Sequence, residues 1–148
     1  MNDLTKTIEE ELKRGESIVL LGKTDSGKTW FCLHELMPFL QAENFNVVYL
    51  KDCDESFGII NTADFVIVDE VETFIDRDFL EKRHPEEVLY YTKGYVKAVK
   101  EWHKKLAGIK VPSVFIITRN EDEELDYLMK NIKLTDWGAR VKPVKFKR

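Results

Sequence analysis

The chain has 148 residues, 43% of them hydrophobic and 34% charged, and its formal net charge is −4. This length predicts one compact domain over residues 1–148, with room for a hydrophobic core but not for a second folded domain. The negative charge argues against a protein coated in nucleic acid, although it leaves room for a local basic face.

The sequence contains no apolar stretch near the roughly 20 residues that span a bilayer. Its first residues also lack the basic and apolar regions of a signal peptide. We therefore expect a cytoplasmic protein with no membrane partner. Cys32 and Cys53 have no metal-binding or redox spacing, and we expect both thiols to be reduced and packed.

The spacing of apolar residues predicts helices that alternate with strands. Leu4, Ile8 and Leu12 recur at helical spacing and predict a first helix. Uninterrupted apolar runs are typical of strands in parallel sheets that are covered on both faces. Such runs lie at 17–22, 46–51, 64–69 and 113–118, with helical patterns at 29–42, 76–83, 86–107 and 121–131. This alternation indicates an α/β protein with a mostly parallel sheet.

Two prolines modify this pattern. Pro38 should kink or shorten the helix at 29–42, because proline lacks the helical N–H donor and its ring clashes with the preceding turn. Residues 140–146 have the pattern of a last short strand. Pro143 places that strand at a sheet edge, because proline cannot donate to a central ladder.

Residues 22–29 match the phosphate-loop pattern GxxxxGK(S/T), between a predicted strand and a predicted helix. Gly22 and Gly27 allow the backbone to curl so that successive N–H groups point at a β-phosphate. Lys28 would reach the β- and γ-phosphates, and the hydroxyl of Thr29 would bind Mg²⁺. The alternative is a turn from strand to helix that holds no ligand.

The predicted nucleotide-binding residues follow from this loop. They are Gly22, Lys23, Thr24, Asp25, Ser26, Gly27, Lys28, Thr29 and Trp30. Trp30 directly follows the loop and either packs beneath it or lies near the nucleotide. A GTPase would need an NKxD-type base-reading motif, and residues 118–122 do not supply one, so we expect ATP.

Two carboxylates, Asp69 and Glu70, follow the strand predicted at 64–69. Ligands bind at the carboxyl ends of strands in open α/β sheets, so Asp69 is predicted to help hold the metal together with Thr29. Glu70 would orient or deprotonate the attacking water. The alternative is that both carboxylates cap the next helix.

Asn120 lies just beyond the fourth predicted strand. If that strand inserts between the loop strand and the strand that ends at Asp69, a polar side chain at this position would lie beside the γ-phosphate. We predict that Asn120 positions the attacking water. Asn120 is also suited to cap the helix that begins in the acidic run 121–124, and both roles are compatible.

These motifs in this order resemble the ASCE division of P-loop NTPases, which includes the AAA+ and RecA-like ATPases, and superfamily 3 viral helicases look similar too. The resemblance covers about residues 17–146. It implies a three-layer α/β/α P-loop NTPase fold with a mostly parallel five-stranded sheet in the AAA+-like order 5-1-4-3-2. It also implies that the loop is a Walker A motif and that Asp69 and Glu70 end a Walker B motif.

The resemblance further implies that Asn120 is a sensor-1 residue and that Arg140 is a catalytic arginine finger reaching a neighbouring subunit. Arg140 could equally be a surface residue or a carboxylate partner, and Arg119 is a second candidate for the finger. The chain ends about where the AAA+ core ends. We therefore expect the helical lid domain and its sensor-2 arginine to be absent.

The helix predicted at 86–107 has an apolar face and, opposite it, a stripe of lysines. The stripe consists of Lys93, Lys97, Lys100 and Lys104. It could follow the phosphates of a nucleic acid. The alternative is a solvated helix face, for which lysine is the commonest choice.

The sequence thus predicts a minimal AAA+ or RecA-like ATPase that binds Mg²⁺ and ATP, with turnover coupled to nucleic acid, a protein partner or a homo-oligomer. Its predicted catalytic residues are Glu70, Asn120 and Arg140. One alternative is a nucleotide-dependent binding module or switch that does not hydrolyse. The other is a small-molecule kinase, although such enzymes usually have a tighter GxxGxGK(S/T) loop and position 25 is Asp.

Overall fold

The structure is a computed structural model that describes residues 3–22, 26–51, 60–71, 101, 104–105, 108–117 and 141–146. Its centre is a parallel sheet of β1 (Ser17–Leu21), β2 (Val47–Leu50), β3 (Phe65–Val68), β4 (Ser113–Ile116) and β5 (Val141–Lys145). The order across the sheet is β2-β3-β4-β1-β5. β1 to β4 lie within the ranges that their apolar runs predict, and β5 lies within the last strand predicted at 140–146, so the α/β class and the five-stranded parallel sheet are confirmed.

The helical segments pack beside this sheet. The described helices are α1 (Asp3–Lys13), α2 (Lys28–Phe31) and α3 (Met37–Ala42), and a short 3₁₀ turn spans Ile60–Thr62. The first helix predicted from the sequence is therefore confirmed. The helix predicted at 29–42 is interrupted, because the π-helical segment Cys32–Leu36 joins α2 to α3.

Pro38 explains why the second helical stretch changes its winding. In an ordinary α-helix the proline ring would clash with the carbonyl group four residues earlier, that of His34. The π-helical segment lies directly before this position, and the Met37 N–H bonds to the Cys32 carbonyl five residues back. We attribute the wider turn to Pro38, so the predicted break takes the form of a local π-helix.

Both faces of the sheet are buried, since alternate residues of a strand point to opposite sides. Against one face pack apolar side chains of α1, α2 and the π-helical segment: Ile8, Leu12, Phe31, Cys32 and Leu36, with Ile18, Leu20, Ile67, Val114 and Ile116 of the sheet. The other face buries Val19, Leu21, Val66, Val68 and Phe115, together with Ile60, Val71 and Ile117. Strands that are covered on both sides explain the uninterrupted apolar runs.

β5 lies at one edge of the described sheet, beside β1, which confirms the position predicted from Pro143. An ion pair ties this edge strand to α1. The carboxylate of Glu11 is buried and lies 3.0 Å from Nζ of Lys142, and Arg14, one residue beyond α1, also pairs with it. The lysine hydrogen bond and the arginine charge lower the pKa of Glu11 against the opposing effect of burial.

The end of β5 also reaches the beginning of the phosphate loop. The Phe146 N–H donates a hydrogen bond of 2.5 Å to the carbonyl oxygen of Leu21, the last residue of β1. The Phe146 ring packs against Phe31, with ring centroids 5.4 Å apart. Phe146 therefore lies beneath the junction between β1 and the loop.

Other predicted elements are described in part or not at all. Residues 76–83 and 121–131 lie outside the described ranges. Of the helix predicted at 86–107, Glu101, Lys104 and Lys105 have helical backbone, and the Gly108 N–H bonds to carbonyls of both lysines, as at a helix end. Within the described ranges, no helix is long and apolar enough to cross a membrane.

Candidate functional site

The phosphate loop begins where β1 ends, and its two glycines are needed for different reasons. Gly27 has φ of 98°, a left-handed conformation that glycine adopts without strain. At Gly22 the limit is space, because a Cβ there would lie 3.2 Å from the carbonyl oxygen of Phe146 and 3.4 Å from Ser26 Oγ. The loop residues Lys23, Thr24 and Asp25 lie outside the described ranges.

Lys28 opens α2 and folds its side chain back over the loop. Only 3% of the residue is exposed, and its Nζ donates a 2.6 Å hydrogen bond to the Gly22 carbonyl oxygen. The Phe31 N–H bonds to the Gly27 carbonyl at 2.8 Å, which ties the first helical turn to the loop. A buried ammonium group requires acceptors, and a phosphate bound in the loop could replace or join the Gly22 carbonyl.

Ser26 is a second loop residue whose side chain could bond to an anion. Its Oγ is buried, and among the described residues it has no hydrogen-bond partner. Buried hydroxyls are nearly always bonded, so an unpaired hydroxyl points to a group that a ligand would supply. A phosphate oxygen would accept its proton. Ser26 and Lys28 together therefore suit an oxyanion in the loop.

Asp69 lies directly after β3 and receives hydrogen bonds from three described residues. Thr29 Oγ1 donates to Asp69 Oδ2 at 2.9 Å, and the hydroxyl of Tyr49 donates to the same oxygen at 2.7 Å. The Glu70 N–H donates to Asp69 Oδ1 at 2.8 Å. These donors compensate for the burial of a carboxylate that is only 3% exposed. The pairing of Thr29 with Asp69 brings the two predicted metal-binding residues together.

Strand register explains how Tyr49 reaches Asp69. Tyr49 pairs with Ile67, which lies two residues before Asp69 and on the same side of β3. The long phenol extends along the sheet towards the carboxyl ends of the strands. Burial raises the pKa of the Tyr49 hydroxyl, and its hydrogen bond to Asp69 raises it further, so the hydroxyl stays protonated and donates.

The residue beneath this group is Cys32, the first of the π-helical segment. It is fully buried and forms no disulfide, as predicted for a packed thiol. Burial raises the pKa of the Cys32 thiol, and the neighbouring Asp69 charge adds to the shift. The thiol therefore stays neutral and acts as apolar packing.

Glu70 has an unusual backbone for a residue with a side chain. Its φ is 52°, in the left-handed region that costs a non-glycine residue roughly 1–2 kcal/mol. Hydrogen bonds on both sides hold it there: Asp69 N–H to the Leu50 carbonyl at 2.8 Å, and Val71 N–H to the Ile116 carbonyl at 3.0 Å. The side chain is exposed, beyond the carboxyl end of β3. Strain of this kind concentrates at functional positions.

Trp30 lies at the surface rather than in the core. It is 50% exposed, and its ring lies against His34 with centroids 5.1 Å apart. Residues 23–25 of the loop lie outside the described ranges, so packing of Trp30 beneath the loop stays a prediction. The indole lies on the surface one residue after Thr29, and contact with a nucleotide stays a prediction.

Several predicted site residues lie outside the described ranges. They are Asn120, Arg119, Arg140, Lys93, Lys97 and Lys100. β4 does lie between β1 and β3 and runs parallel to both, so its carboxyl end is at the same edge of the sheet as the end of β1. Lys104 is exposed near the end of its helix, and its role in a basic stripe stays a prediction.

Tyr49 is the residue of this site that the sequence did not reveal. In the sequence, a tyrosine within an apolar run indicates core packing. Its hydrogen bond to Asp69 is seen only in the structure.

In the described part of the chain, no group of three or more His, Cys, Asp and Glu side chains could hold a metal ion unaided. A comparison with known protein families and with curated proteins gives no match for this chain.

Proposed function

We propose that this chain binds ATP with Mg²⁺ and hydrolyses it, as a minimal ATPase of the AAA+ or RecA-like type. The observation that carries the proposal is the 2.9 Å hydrogen bond from Thr29 Oγ1 to Asp69 Oδ2. A turn that only connects β1 to α2 would not require a buried carboxylate opposite its hydroxyl, because burying that charge is costly. A magnesium nucleotide requires both groups at one place.

The sheet supports the same proposal. Counted from the β5 edge, the strands follow as β5-β1-β4-β3-β2, the order implied by the resemblance to AAA+ proteins. The described helices cover one face of the sheet, and the second face is buried as well. That burial is what a three-layer α/β/α arrangement requires.

Each residue of the site has a role in this proposal. Bound Mg²⁺ would supply positive charge that stabilises the phosphate oxygens. Thr29 would hold the ion through its hydroxyl oxygen, since the hydroxyl proton is already directed at Asp69. Asp69 would hold the ion through water. Lys28 and Ser26 would donate to the phosphates.

Glu70 is proposed as the base that orients or deprotonates the attacking water, because it is exposed at the carboxyl end of β3, next to Asp69. Asn120 and Arg140 are proposed as the water-positioning residue and the arginine finger on the basis of the resemblance alone. Stimulation by nucleic acid, through the lysine stripe that includes Lys104, is likewise a proposal. If the lysine stripe contacts phosphates, the affinity of the protein for nucleic acid should fall steeply as the salt concentration rises.

The test measures the affinity for a fluorescent ATP analogue, with Mg²⁺ and with EDTA, together with phosphate release. Thr29→Val removes the hydroxyl but keeps the side-chain shape. We expect it to weaken binding in Mg²⁺ by at least about 10-fold. Thr7→Val, on the exposed side of α1, is the matched control and should bind as the wild type does.

Two results would change the proposal. Equal affinity of wild type and Thr29→Val in Mg²⁺ would show that Thr29 does not hold the metal. Stoichiometric ATP binding without phosphate release, even with DNA or RNA added, would favour the alternative of a nucleotide-dependent binding module.

A further inference from the structure

We propose that Tyr49 is a positioning residue for Asp69, and that its hydroxyl makes ATP binding depend on Mg²⁺. This inference rests on the proposed ATP site. It adds a residue from β2, a strand to which neither the sequence motifs nor the resemblance assign a functional role. Tyr49 would not touch ATP or the ion, and would act through the carboxylate alone.

The first step is the occupancy of the carboxylate oxygens. A carboxylate accepts hydrogen bonds at about four lone-pair positions, two on each oxygen. The donors Thr29 and Tyr49 both bond to Oδ2, at 2.9 and 2.7 Å, and the Glu70 N–H bonds to Oδ1 at 2.8 Å. Among the described residues, one position on Oδ1 is then left for a further donor, such as a metal-bound water.

The second step concerns the Thr29 hydroxyl. A hydroxyl has one proton and two lone pairs, so it can hold a cation only if its proton is directed elsewhere. Asp69 Oδ2 receives that proton as long as the carboxylate keeps its present rotation. Tyr49 is the second donor to the same oxygen, and it lies on β2, the strand beside β3. Its hydroxyl therefore resists rotation of the carboxylate away from Thr29.

The third step is the rigidity of the support. Tyr49 pairs with Ile67 inside a continuous parallel ladder between β2 and β3, in which Leu50 pairs with Val68. The Asp69 N–H extends this ladder with a 2.8 Å hydrogen bond to the Leu50 carbonyl. The donor and the acceptor are therefore attached to neighbouring strands whose relative position is fixed.

If Tyr49 has a purely structural role, a different result is expected. Loss of the half-buried hydrogen bond to Asp69 would lower stability and weaken ATP binding equally with and without the metal. A positioning role affects only the contribution of the metal. The informative quantity is the magnesium ratio, which we define as the Kd for ATP in EDTA divided by the Kd in saturating Mg²⁺.

The experiment measures this ratio for wild type and for Tyr49→Phe, which keeps the ring and removes the hydroxyl. Loss of a group that orients a metal-binding residue typically weakens metal binding 10- to 100-fold. Because Tyr49 acts through Asp69, we expect the magnesium ratio to fall by about 10-fold, with the Kd in EDTA unchanged.

The matched control is Ser113→Ala. It also removes a hydrogen-bonded hydroxyl, that of the buried Ser113, which bonds to the Val111 carbonyl at 2.6 Å, but at the amino end of β4, away from the loop. Ser113→Ala should lower stability and leave the magnesium ratio at the wild-type value.

The outcomes separate the two proposals. If the wild type binds ATP with a high magnesium ratio and Tyr49→Phe has the same ratio, the proposed role of Tyr49 is overturned. The proposed ATP site is then unaffected. An equal loss of affinity in EDTA and in Mg²⁺ also overturns it. A wild type that does not bind ATP overturns the proposed function, and the role of Tyr49 with it.

Discussion

The ammonium nitrogen of Lys28 lies 2.6 Å from the carbonyl oxygen of Gly22, so a side chain at the end of the phosphate loop is bonded to the first residue of the loop. We predict that Lys28→Met weakens ATP binding roughly 10- to 100-fold, because hydrogen bonds to charged groups contribute about 1.5–3 kcal/mol. Titration with a fluorescent ATP analogue would measure the loss. Lys6→Met, at an exposed position of α1, is the control, and an equal effect of both variants would contradict the role of Lys28.

Glu70 should show opposite effects on activity and stability. Glu70→Gln keeps the side-chain size and should reduce phosphate release by roughly 10²- to 10⁴-fold, as expected for loss of a general base. Glu70→Gly should lose the same activity but gain roughly 1 kcal/mol of unfolding free energy, because glycine adopts a φ of 52° without strain.

Chemical denaturation of the two Glu70 variants, together with phosphate release, provides the measurement. Hydrolysis by Glu70→Gln at the wild-type rate would remove Glu70 from the mechanism. A Glu70→Gly protein that is less stable than wild type would show that the backbone at this position is not strained.

Gly22 is predicted to tolerate no side chain. Gly22→Ala would bring a Cβ to 3.2 Å from the Phe146 carbonyl oxygen, and such overpacking costs about 1–3 kcal/mol. We expect lower stability and weaker ATP binding. Phe146→Ala should not restore either property, because the nearest atom belongs to the backbone. Rescue by that second substitution would contradict this explanation.

Gly15→Ala is the matched control for Gly22→Ala. Gly15 has φ of 83° but open space around its Cα, so alanine there should cost about 1–2 kcal/mol of strain and leave ATP affinity unchanged. Comparison of Gly15→Ala with Gly22→Ala therefore separates an effect on stability alone from an effect on ATP binding by the loop.

The ion pair between Glu11 and Lys142 predicts a dependence of stability on pH. The pKa of Glu11 in the folded protein lies below its ordinary value of 4.5. For a carboxylate with a lowered pKa, the stabilisation is complete above the unfolded value and is lost as pH falls through the folded value. Stability should therefore fall below about pH 4.5, by up to about 1 kcal/mol from this pair, because Lys142 is largely exposed.

Thermal unfolding from pH 7 to pH 3 would test this dependence. Glu11→Gln should be less stable than wild type at neutral pH, and the difference should shrink on acidification. Glu10→Gln, at an exposed neighbouring position, should follow the wild-type curve. A constant difference between Glu11→Gln and wild type at all pH values would contradict the assignment.

The sequence was sufficient for the strands but not for their contacts. Parallel strands buried on both faces have continuous apolar runs, such as Phe65–Val68, and these runs are easily recognised. Which residues face each other depends on register, and register is set by packing across the whole sheet. The contact between Tyr49 and Asp69 is not predictable from the sequence for this reason, because it depends on the register that pairs Tyr49 with Ile67.

The local backbone was also only partly predictable. Pro38 signalled an irregular helix, but whether that helix kinks, ends or widens depends on what it packs against. The left-handed backbone of Glu70 is not predictable from its residue type, since this conformation is usually indicated by glycine or asparagine. The proximity of Thr29 and Asp69 could be predicted, because the phosphate-loop pattern and a carboxylate after an apolar strand fix the residue types at these positions.

The contact between Phe146 and the start of the loop has a consequence for synthesis on the ribosome. The Phe146 N–H satisfies the Leu21 carbonyl, and the Phe146 backbone lies against Gly22, more than a hundred positions earlier in the chain. While β5 is still in the exit tunnel, the edge of β1 that pairs with β5 stays open and the loop lacks its contact with Phe146. A nascent chain should therefore acquire ATP affinity only late, after residue 146 has left the tunnel, and until then the exposed edge of β1 is where a chaperone would be needed.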